Sequence, residues 1–180
     1  QKRTDKIFDE TAVVGIQEFA SRLQAGIVPT FARWANFEAG VEIPEENKES
    51  VNASLDNITQ FVFETLSGSN FNQEIHEAFM DLAVGTGCLL VEEGDAVNPI
   101  KFSAIPLPHL ILNNGPDNKI DTIFRKRSCK LNEINVIYPD AVVPEEIMST
   151  MNPDRKCTLL DGVYRVYDEP NVEKYKHCVV

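Results

Sequence analysis

The chain has 180 residues, of which 43% are hydrophobic and 25% are charged, so it holds enough apolar material for a globular core. Its 28 Asp and Glu residues outnumber its 17 Lys and Arg residues, and a net charge of −11 argues against a domain that grips nucleic acid. No apolar run reaches the roughly 20 residues of a transmembrane helix, and the charged N-terminal stretch QKRTDKIFDE does not have the apolar region of a secretory signal.

Three amphipathic helices are predicted in the first half of the chain. The first is capped by Thr4 or Asp5 and closed by Gly26, the second opens at Pro44, and the third follows the break at residues 67–70. Apolar residues recur at three- and four-residue steps in each helix, which predicts one buried stripe per helix. The predicted stripes are Phe8, Ala12, Ile16, Phe19, Leu23 and Ile27; Val51, Leu55, Ile58, Val62 and Leu66; and Phe71, Ile75, Phe79 and Leu82.

The second half of the chain consists of short strand-like runs and turns. The runs CLLVEE (88–93) and IKFSAIPL (100–107) are predicted strands, and two further strands flank the Asn-Gly-Pro-Asp turn at 114–117. Short helices are predicted from Leu131 to Tyr138 and from Pro144 to Met151. Two last strands flank a turn at 168–171.

The order of these elements, helices first and strands afterwards, predicts an α+β fold in which N-terminal amphipathic helices pack on a mainly antiparallel sheet. We expect one domain over residues 1–180, with a helical part at about 4–84 and a β-rich part at about 88–180. The sequence starts at Gln1 and ends within the strand-like run KYKHCVV, so we expect a piece of a longer chain.

The glycines of the stretch LAVGTGCLLVEEGD look at first like a phosphate-binding loop. Such loops follow a strand and precede a helix, because the N–H groups at the start of the helix bind the anion. Here the helix comes first, no lysine follows, and the third glycine of a dinucleotide motif is missing. We therefore predict a structural corner, with Gly85 closing the helix and Gly87 allowing close approach of two backbone segments.

The residues that could carry catalysis are scattered along the chain. The three histidines have no spaced histidine partner, and the four cysteines contain no C-x-x-C pair, so we expect packing or surface roles and reduced thiols in an intracellular setting. We predict no catalytic residue, no cofactor and no metal. The three histidines are His76, His109 and His177, and the four cysteines are Cys88, Cys129, Cys157 and Cys178.

A single basic cluster lies in the run RKRSCK, formed by Arg125, Lys126, Arg127 and Lys130. Strand alternation places Arg125 and Arg127 on one face and Lys126 on the other. The cluster favours either a strand whose charges discourage edge pairing or a contact with the acidic surface of a neighbouring copy. In the second case, reversing Arg125 and Arg127 should impair assembly more than folding. A nucleic-acid patch is a third interpretation, disfavoured because no aromatic residues are interleaved.

Three stretches, taken in order, carry a family resemblance. Residues 8–40 combine the helix start FDETA with a Leu-x-x-Gly turn before a proline. Residues 69–95 run from Ser-Asn-Phe through a helix into Gly-Thr-Gly and a strand, and residues 102–140 contain Ile-Pro-Leu, a glycine hairpin, an arginine strand and an aromatic-Pro ending. Together they resemble the portal proteins, or head-to-tail connectors, of podovirus-type (T7-like) phages. Glu10 and Val84 depart from the family pattern, which more often has serine and an aromatic residue there.

The resemblance implies a structural protein without an active site, and this chain would correspond to the outer wing of one subunit. It implies a homo-oligomeric ring, usually of twelve subunits, at one vertex of the virion, assembled in the host cytoplasm. The implied partners are the major capsid or scaffold protein, the terminase, the tail adaptor proteins and double-stranded DNA that passes through the ring without sequence-specific contact. The ring would support genome packaging, genome ejection and tail attachment, and no membrane is implied.

Two other classes of function compete with this interpretation. A metal-dependent or acid/base hydrolase would use His76 or His109 with nearby carboxylates and needs at least three polar side chains converging in a pocket. A monomeric adaptor or binding module would form no ring.

Overall fold

The computed structural model describes residues 9–145, 152, 154–168 and 174–180. The chain divides into two compact units, Gln1–Leu107 and Pro108–Val180. The first unit carries 17 Asp and Glu residues against 7 Lys and Arg residues, and the second carries 11 against 10. Nearly all of the net negative charge therefore belongs to the first unit.

The first unit contains three helices and one hairpin. Helix α1 spans Thr11–Ile27, α2 spans Glu45–Gly68 and α3 spans Phe71–Val84. Strands β1 (Leu89–Glu93) and β2 (Ile100–Ala104) pair antiparallel and form a two-stranded sheet. Helix α3 lies centrally, because it packs against α1 on one side and against both strands on another.

The core of the first unit is largely aromatic. Phe71 at the start of α3 packs edge to face on Phe102 of β2, with ring centroids 5.1 Å apart. Trp34 stacks on Phe71 at 6.3 Å and meets Phe63 of α2 edge to face at 5.3 Å. Val28, which follows α1, is buried in the same cluster. The single tryptophan thus joins α2 to the α3–β2 core.

Helix α2 is weakly buried along its length. Its buried residue is Thr59, whose hydroxyl donates to the Leu55 carbonyl at 2.8 Å and accepts from the Phe37 N–H at 3.3 Å. The extended segment that precedes α2 adds Arg33, which pairs with Asp56 at 2.7 Å. Polar contacts with this segment, as well as apolar packing, therefore hold α2 in place.

The second unit is built on a four-stranded antiparallel sheet. Its strands are β3 (Leu110–Asn114), β4 (Ile120–Lys130), β5 (Lys156–Val166) and β6 (Lys174–Val179), and their spatial order is β3-β4-β5-β6. Each strand pairs with its sequence neighbour, so the sheet is a meander.

One face of this sheet is covered by a short helical segment. A 3-10 turn at Leu131–Glu133 leads into helix α4 (Ile134–Ile137), and Leu131 and Ile134 are buried against Cys129. Because side chains alternate along a strand, the odd-numbered residues of β4, β5 and β6 point to this covered face, and the even-numbered residues point to the opposite face.

The fold confirms the predicted α+β class with antiparallel sheets. The bounds of α3, the β3–β4 hairpin and the short helix after Leu131 agree with the sequence patterns. The hairpin β1–β2 belongs to the helical unit, so the compact units divide after residue 107, later than the change from helix to strand. The predicted helix over 144–151 and the turn at 168–171 lie mostly outside the described residues, as do Thr4, Asp5 and Phe8.

The predicted helix stripes were partly wrong. Phe19 and Ile27 of α1 are 43% and 54% exposed, Ile58 of α2 is 51% exposed and Leu82 of α3 is 43% exposed, whereas Ala20 and Thr59 are buried. Ala20 is buried because its small side chain lets neighbouring segments approach closely. Thr59 can be buried because its hydroxyl is hydrogen-bonded. No helix in the described ranges is long and apolar enough to cross a bilayer.

Candidate functional site

The glycine corner has the geometry of a packed helix end. The N–H of Gly85 donates to the Asp81 carbonyl at 3.0 Å, and the φ of Gly85 is 178°, an extended value open to any residue. Gly87 is the tighter position, since an added Cβ would overlap the carbonyl oxygen of Ala78 in α3. The Asp81 carboxylate accepts from the Leu107 N–H at 3.0 Å, so this corner presents negative charge, which repels phosphate.

The two histidines of the hydrolase alternative are not joined to carboxylates in the part of the chain that the structure describes. His76 is half-buried on α3, and its Nδ1 lies 2.9 Å from the amide oxygen of Gln24 in α1. His109 is exposed in the 3-10 turn Leu107–His109 that precedes β3. Within the described ranges, no three His, Cys, Asp or Glu residues are grouped closely enough to hold a metal ion.

Asp161 is the centre of a cluster that the sequence patterns did not predict. Its carboxylate is 4% exposed in the middle of β5, on the covered face of the sheet. Arg125 Nε and Nη2 donate to Oδ2 at 2.8 and 2.7 Å, Tyr138 Oη donates to the same oxygen at 2.6 Å, and His177 Nε2 lies 2.7 Å from Oδ1. These four residues form what we call the Asp161 clamp, which joins β4, β5, β6 and the end of α4.

The pKa values of the clamp follow from burial and hydrogen bonding. Burial alone would raise the pKa of Asp161, but the bonds from Tyr138, His177 and Arg125 outweigh it and hold the pKa below its usual value. Burial, followed by the bond to Asp161, raises the pKa of the Tyr138 phenol. The Asp161 carboxylate is therefore charged at neutral pH, and both of its oxygens have hydrogen-bonding partners. This arrangement suits a residue that links elements of the fold.

A groove of about 800 Å³ lies beside the clamp, lined mostly by apolar residues of α4, the segment after it, β5 and β6. Tyr138 and His177 reach this groove. In a nucleophilic triad, the second imidazole nitrogen would contact a hydroxyl or thiol. Among the described residues, the contact that His177 makes is with Asp161.

Two further acidic residues, Asp117 and Asp121, link the β3–β4 hairpin to the residues at the end of β5. Asp121 is 8% exposed and accepts hydrogen bonds from the hydroxyls of Thr122 and Tyr167. Arg165 lies over the Tyr167 ring at 5.1 Å and within 3.5 Å of Asp117. The acidic residues of this turn are thus used within the unit.

The predicted basic cluster is divided between the two faces of the sheet. Arg125 points to the covered face and binds Asp161, whereas Lys126 and Lys130 are exposed on the opposite face, where Lys130 Nζ lies 3.4 Å from Asp154. Arg127 is half-buried on the covered face and interacts with Tyr138. Reversing Arg125 would place two like charges in the clamp, so that change is expected to impair folding as well as any assembly.

Two cysteines that are distant in sequence are neighbours in the sheet. Cys129 and Cys157 are directly opposite each other on β4 and β5, and their sulfurs lie 3.6 Å apart. Burial and the neighbouring thiol raise the pKa of Cys129 to about 11, so this thiol is a poor nucleophile at neutral pH. Cys129 is buried, and Cys88, Cys157 and Cys178 are half-buried.

Large apolar side chains are more often exposed than buried in the described part of the chain. Phe31 is 100% exposed, Val41 is 99% exposed, and Phe61 on α2 is 68% exposed. Exposed apolar side chains of this size are available for contact with partner surfaces. The surfaces of the molecule, more than any cleft, are therefore the candidate functional sites.

The comparison with known proteins agrees with this picture. Residues 1–177 match the family model described as the bacteriophage head to tail connecting protein, and no curated protein matches the chain. Connectors are structural, not enzymatic, components of the virion and act within an oligomeric assembly associated with capsid and tail. Because the match covers nearly all of the chain, this protein belongs to the family of bacteriophage head-to-tail connecting proteins.

Proposed function

We propose that this chain is the wing region of a T7-like portal subunit that forms a closed ring at one vertex of the capsid. In this role it performs no chemistry. The ring supports packaging of double-stranded DNA by the terminase, later ejection of that DNA, and attachment of tail adaptor proteins. Twelve copies, contact with the major capsid or scaffold protein, and passage of DNA without sequence-specific contact are parts of the same proposal.

The observation that carries the proposal is the family match over residues 1–177. Two features of the chain support it. The exposed apolar residues, such as Phe31 and Phe61, are available to contact partner surfaces. The net charge of −11 suits an outer part of a ring that must let DNA move through without binding it.

A ring of identical subunits can be counted directly. We expect the complete protein, purified after expression alone, to form closed rings of one size in electron micrographs, with a mass by native mass spectrometry near twelve subunits. A protein that stays monomeric at tens of micromolar would contradict the ring. Rings of another number would contradict the twelvefold symmetry and leave the ring itself in place.

A further inference from the structure

The sheet face opposite the Asp161 clamp carries a concentration of positive charge. Both acidic strand residues of the four-stranded sheet, Asp121 and Asp161, point to the covered face. The even-numbered strand residues on the opposite face include no carboxylate and five exposed lysines, and we call this surface the lysine face. The lysines are Lys126 and Lys130 on β4, Lys156 on β5, and Lys174 and Lys176 on β6.

The middle of the lysine face is apolar. Phe124, Leu160 and Tyr164 are half-buried there, and Ile111 of β3 is 38% exposed. Phe124 lies opposite Gly162 and packs over it, since a Cβ on Gly162 would come within 2.7 Å of the Phe124 ring. An apolar centre with a charged rim is the usual anatomy of a protein–protein interface.

Helix α2 of the first unit has the complementary properties. Its 24 residues include one lysine and five acidic residues, namely Glu45, Glu46, Glu49, Asp56 and Glu64. Its buried residue is Thr59, while Ile58 and Phe61 are 51% and 68% exposed. The helix is about 36 Å long at 1.5 Å per residue, and an eleven-residue strand is also about 36 Å long.

We propose that the lysine face of one copy binds helix α2 of a second copy. Ile58 and Phe61 meet the apolar centre, and Glu46 and Glu64, which lie beside Phe61 on the helix surface, meet the lysine rim. The two surfaces differ, so the contact is heterologous, and repeating it generates a ring when the rotation closes. The proposal rests on the proposed ring, because it assigns the surfaces through which neighbouring copies meet.

Double-stranded DNA is the other acidic macromolecule that a row of lysines could bind. Interfaces with DNA are more polar than this face and are usually dominated by contacts to phosphates. The apolar centre of the lysine face would meet phosphates and sugars without a matching partner. The acidic first unit offers both the charge and the apolar residues that the face requires.

Charge exchange in the full chain tests the pairing. The face variant combines Lys126→Glu and Lys176→Glu, and the helix variant combines Glu46→Lys and Glu64→Lys. We expect each variant alone to weaken association between copies at least about tenfold, measured by mass photometry and analytical ultracentrifugation. The chain that carries all four changes has the original net charge and should assemble again, because each reversed face then meets a reversed helix.

The matched control changes two cations away from both surfaces, with Arg22→Glu and Lys119→Glu. It shifts the net charge as much as the face variant does, and it should assemble like the unmodified chain. Circular dichroism should show a thermal transition within a few degrees of the unmodified protein for every variant, since all the changed residues are exposed.

The outcomes separate this inference from the proposed function. Normal assembly of the face variant, or failure of the four-change chain to recover, contradicts the pairing while leaving the ring in place. Absence of assembly by the unmodified chain contradicts both. Fluorescence anisotropy would also detect binding of a double-stranded oligonucleotide. If the unmodified chain binds it and only the face variant loses that binding, the lysine face is instead a DNA-binding surface.

Discussion

At the scale of single residues, the Asp161 clamp shows how one carboxylate can link four elements. Arg125, Tyr138 and His177 come from β4, the end of α4 and β6, and all three reach Asp161 on β5. A carboxylate that is 4% exposed would be costly without such partners, and removing one member leaves a charge that is poorly solvated. The clamp therefore makes the packing of the second unit depend on a single side chain.

The stability that Asp161 contributes should depend on pH. Its folded pKa lies below the unfolded value of about 3.9, so the unfolded chain takes up the proton first as pH falls. The contribution is complete above about pH 4 and is lost as pH decreases through the folded pKa. We expect Asp161→Asn to lower the free energy of unfolding by about 3 kcal/mol at pH 7, and by progressively less below pH 4, in urea titrations followed by circular dichroism.

Asp154→Asn is the matched control for this change. Asp154 pairs with Lys130 at the surface and its side chain is 71% exposed, so we expect a loss below about 0.5 kcal/mol. A difference between the Asp161→Asn variant and the unmodified protein that stays constant from pH 7 to pH 3 would show that the clamp is not the source of the stabilisation.

Of the two corner glycines, Gly87 is the one whose substitution should destabilise the protein more. A Cβ at this position would overlap the Ala78 carbonyl oxygen and lie 3.2 Å from the carbonyl carbon, and a helix backbone cannot move aside easily. We expect Gly87→Ala to destabilise the protein by about 1–3 kcal/mol in thermal unfolding. Gly85→Ala should cost less, because its neighbour at 2.9 Å is the flexible end of the Leu107 side chain.

Gly15→Ala in α1 is the control for the corner. No atom lies within 4 Å of a Cβ at Gly15, so this change should stabilise the helix by about 0.5–1 kcal/mol. Equal melting temperatures for Gly87→Ala and the unmodified protein would mean that α3 and the strand after it approach less closely than we infer.

At the scale of elements, helix α3 completes the hairpin β1–β2. A two-stranded hairpin is marginal by itself in water. The Asn70 side chain donates to the Phe102 carbonyl at 2.7 Å and accepts from the Phe102 N–H at 3.0 Å, while Glu74 accepts from the Ala104 N–H at 2.7 Å. Polar side chains at the start of a helix thus take the place of a third strand along the outer edge of β2.

Removal of the Asn70 side chain should loosen this edge. We expect Asn70→Ala to lower the free energy of unfolding by about 1–3 kcal/mol, because the N–H and carbonyl of the buried Phe102 lose their partners. The amide of Phe102 should also exchange with solvent faster, as measured by hydrogen exchange. Gln73→Ala, an exposed position on the same helix, should change stability by less than about 0.5 kcal/mol. Unchanged protection of the Phe102 amide would contradict this role.

At the scale of the whole molecule, charge is distributed unevenly between the two compact units. The first unit has a net charge of −10, from 17 acidic and 7 basic residues, and the second has −1, from 11 and 10. The second unit nevertheless has one sheet face on which all the charged strand residues of β4, β5 and β6 are lysines. Repeated contact between unlike units of neighbouring copies is the arrangement that this distribution favours.

The sequence alone determined the class of the fold and the bounds of most elements. The period of apolar residues is a local property, so α3 from Phe71 to Val84 and the β3–β4 hairpin around the Asn-Gly-Pro-Asp turn could be identified from consecutive residues. The order helix, glycine, strand likewise predicts a corner at Gly85 instead of a phosphate loop, because that distinction depends on order along the chain. The family resemblance rested on motifs of the same local kind.

The tertiary structure alone decided which distant residues meet. Arg125 looked like a surface cation in the run RKRSCK, and its partner Asp161 lies 36 residues away on the neighbouring strand. The lysine face likewise combines residues of β4, β5 and β6, whose charges form one surface only when the register of the sheet aligns them. Pairing between strands depends on that register and on burial, which no local pattern records, so the clamp and the lysine face could not be predicted from the sequence.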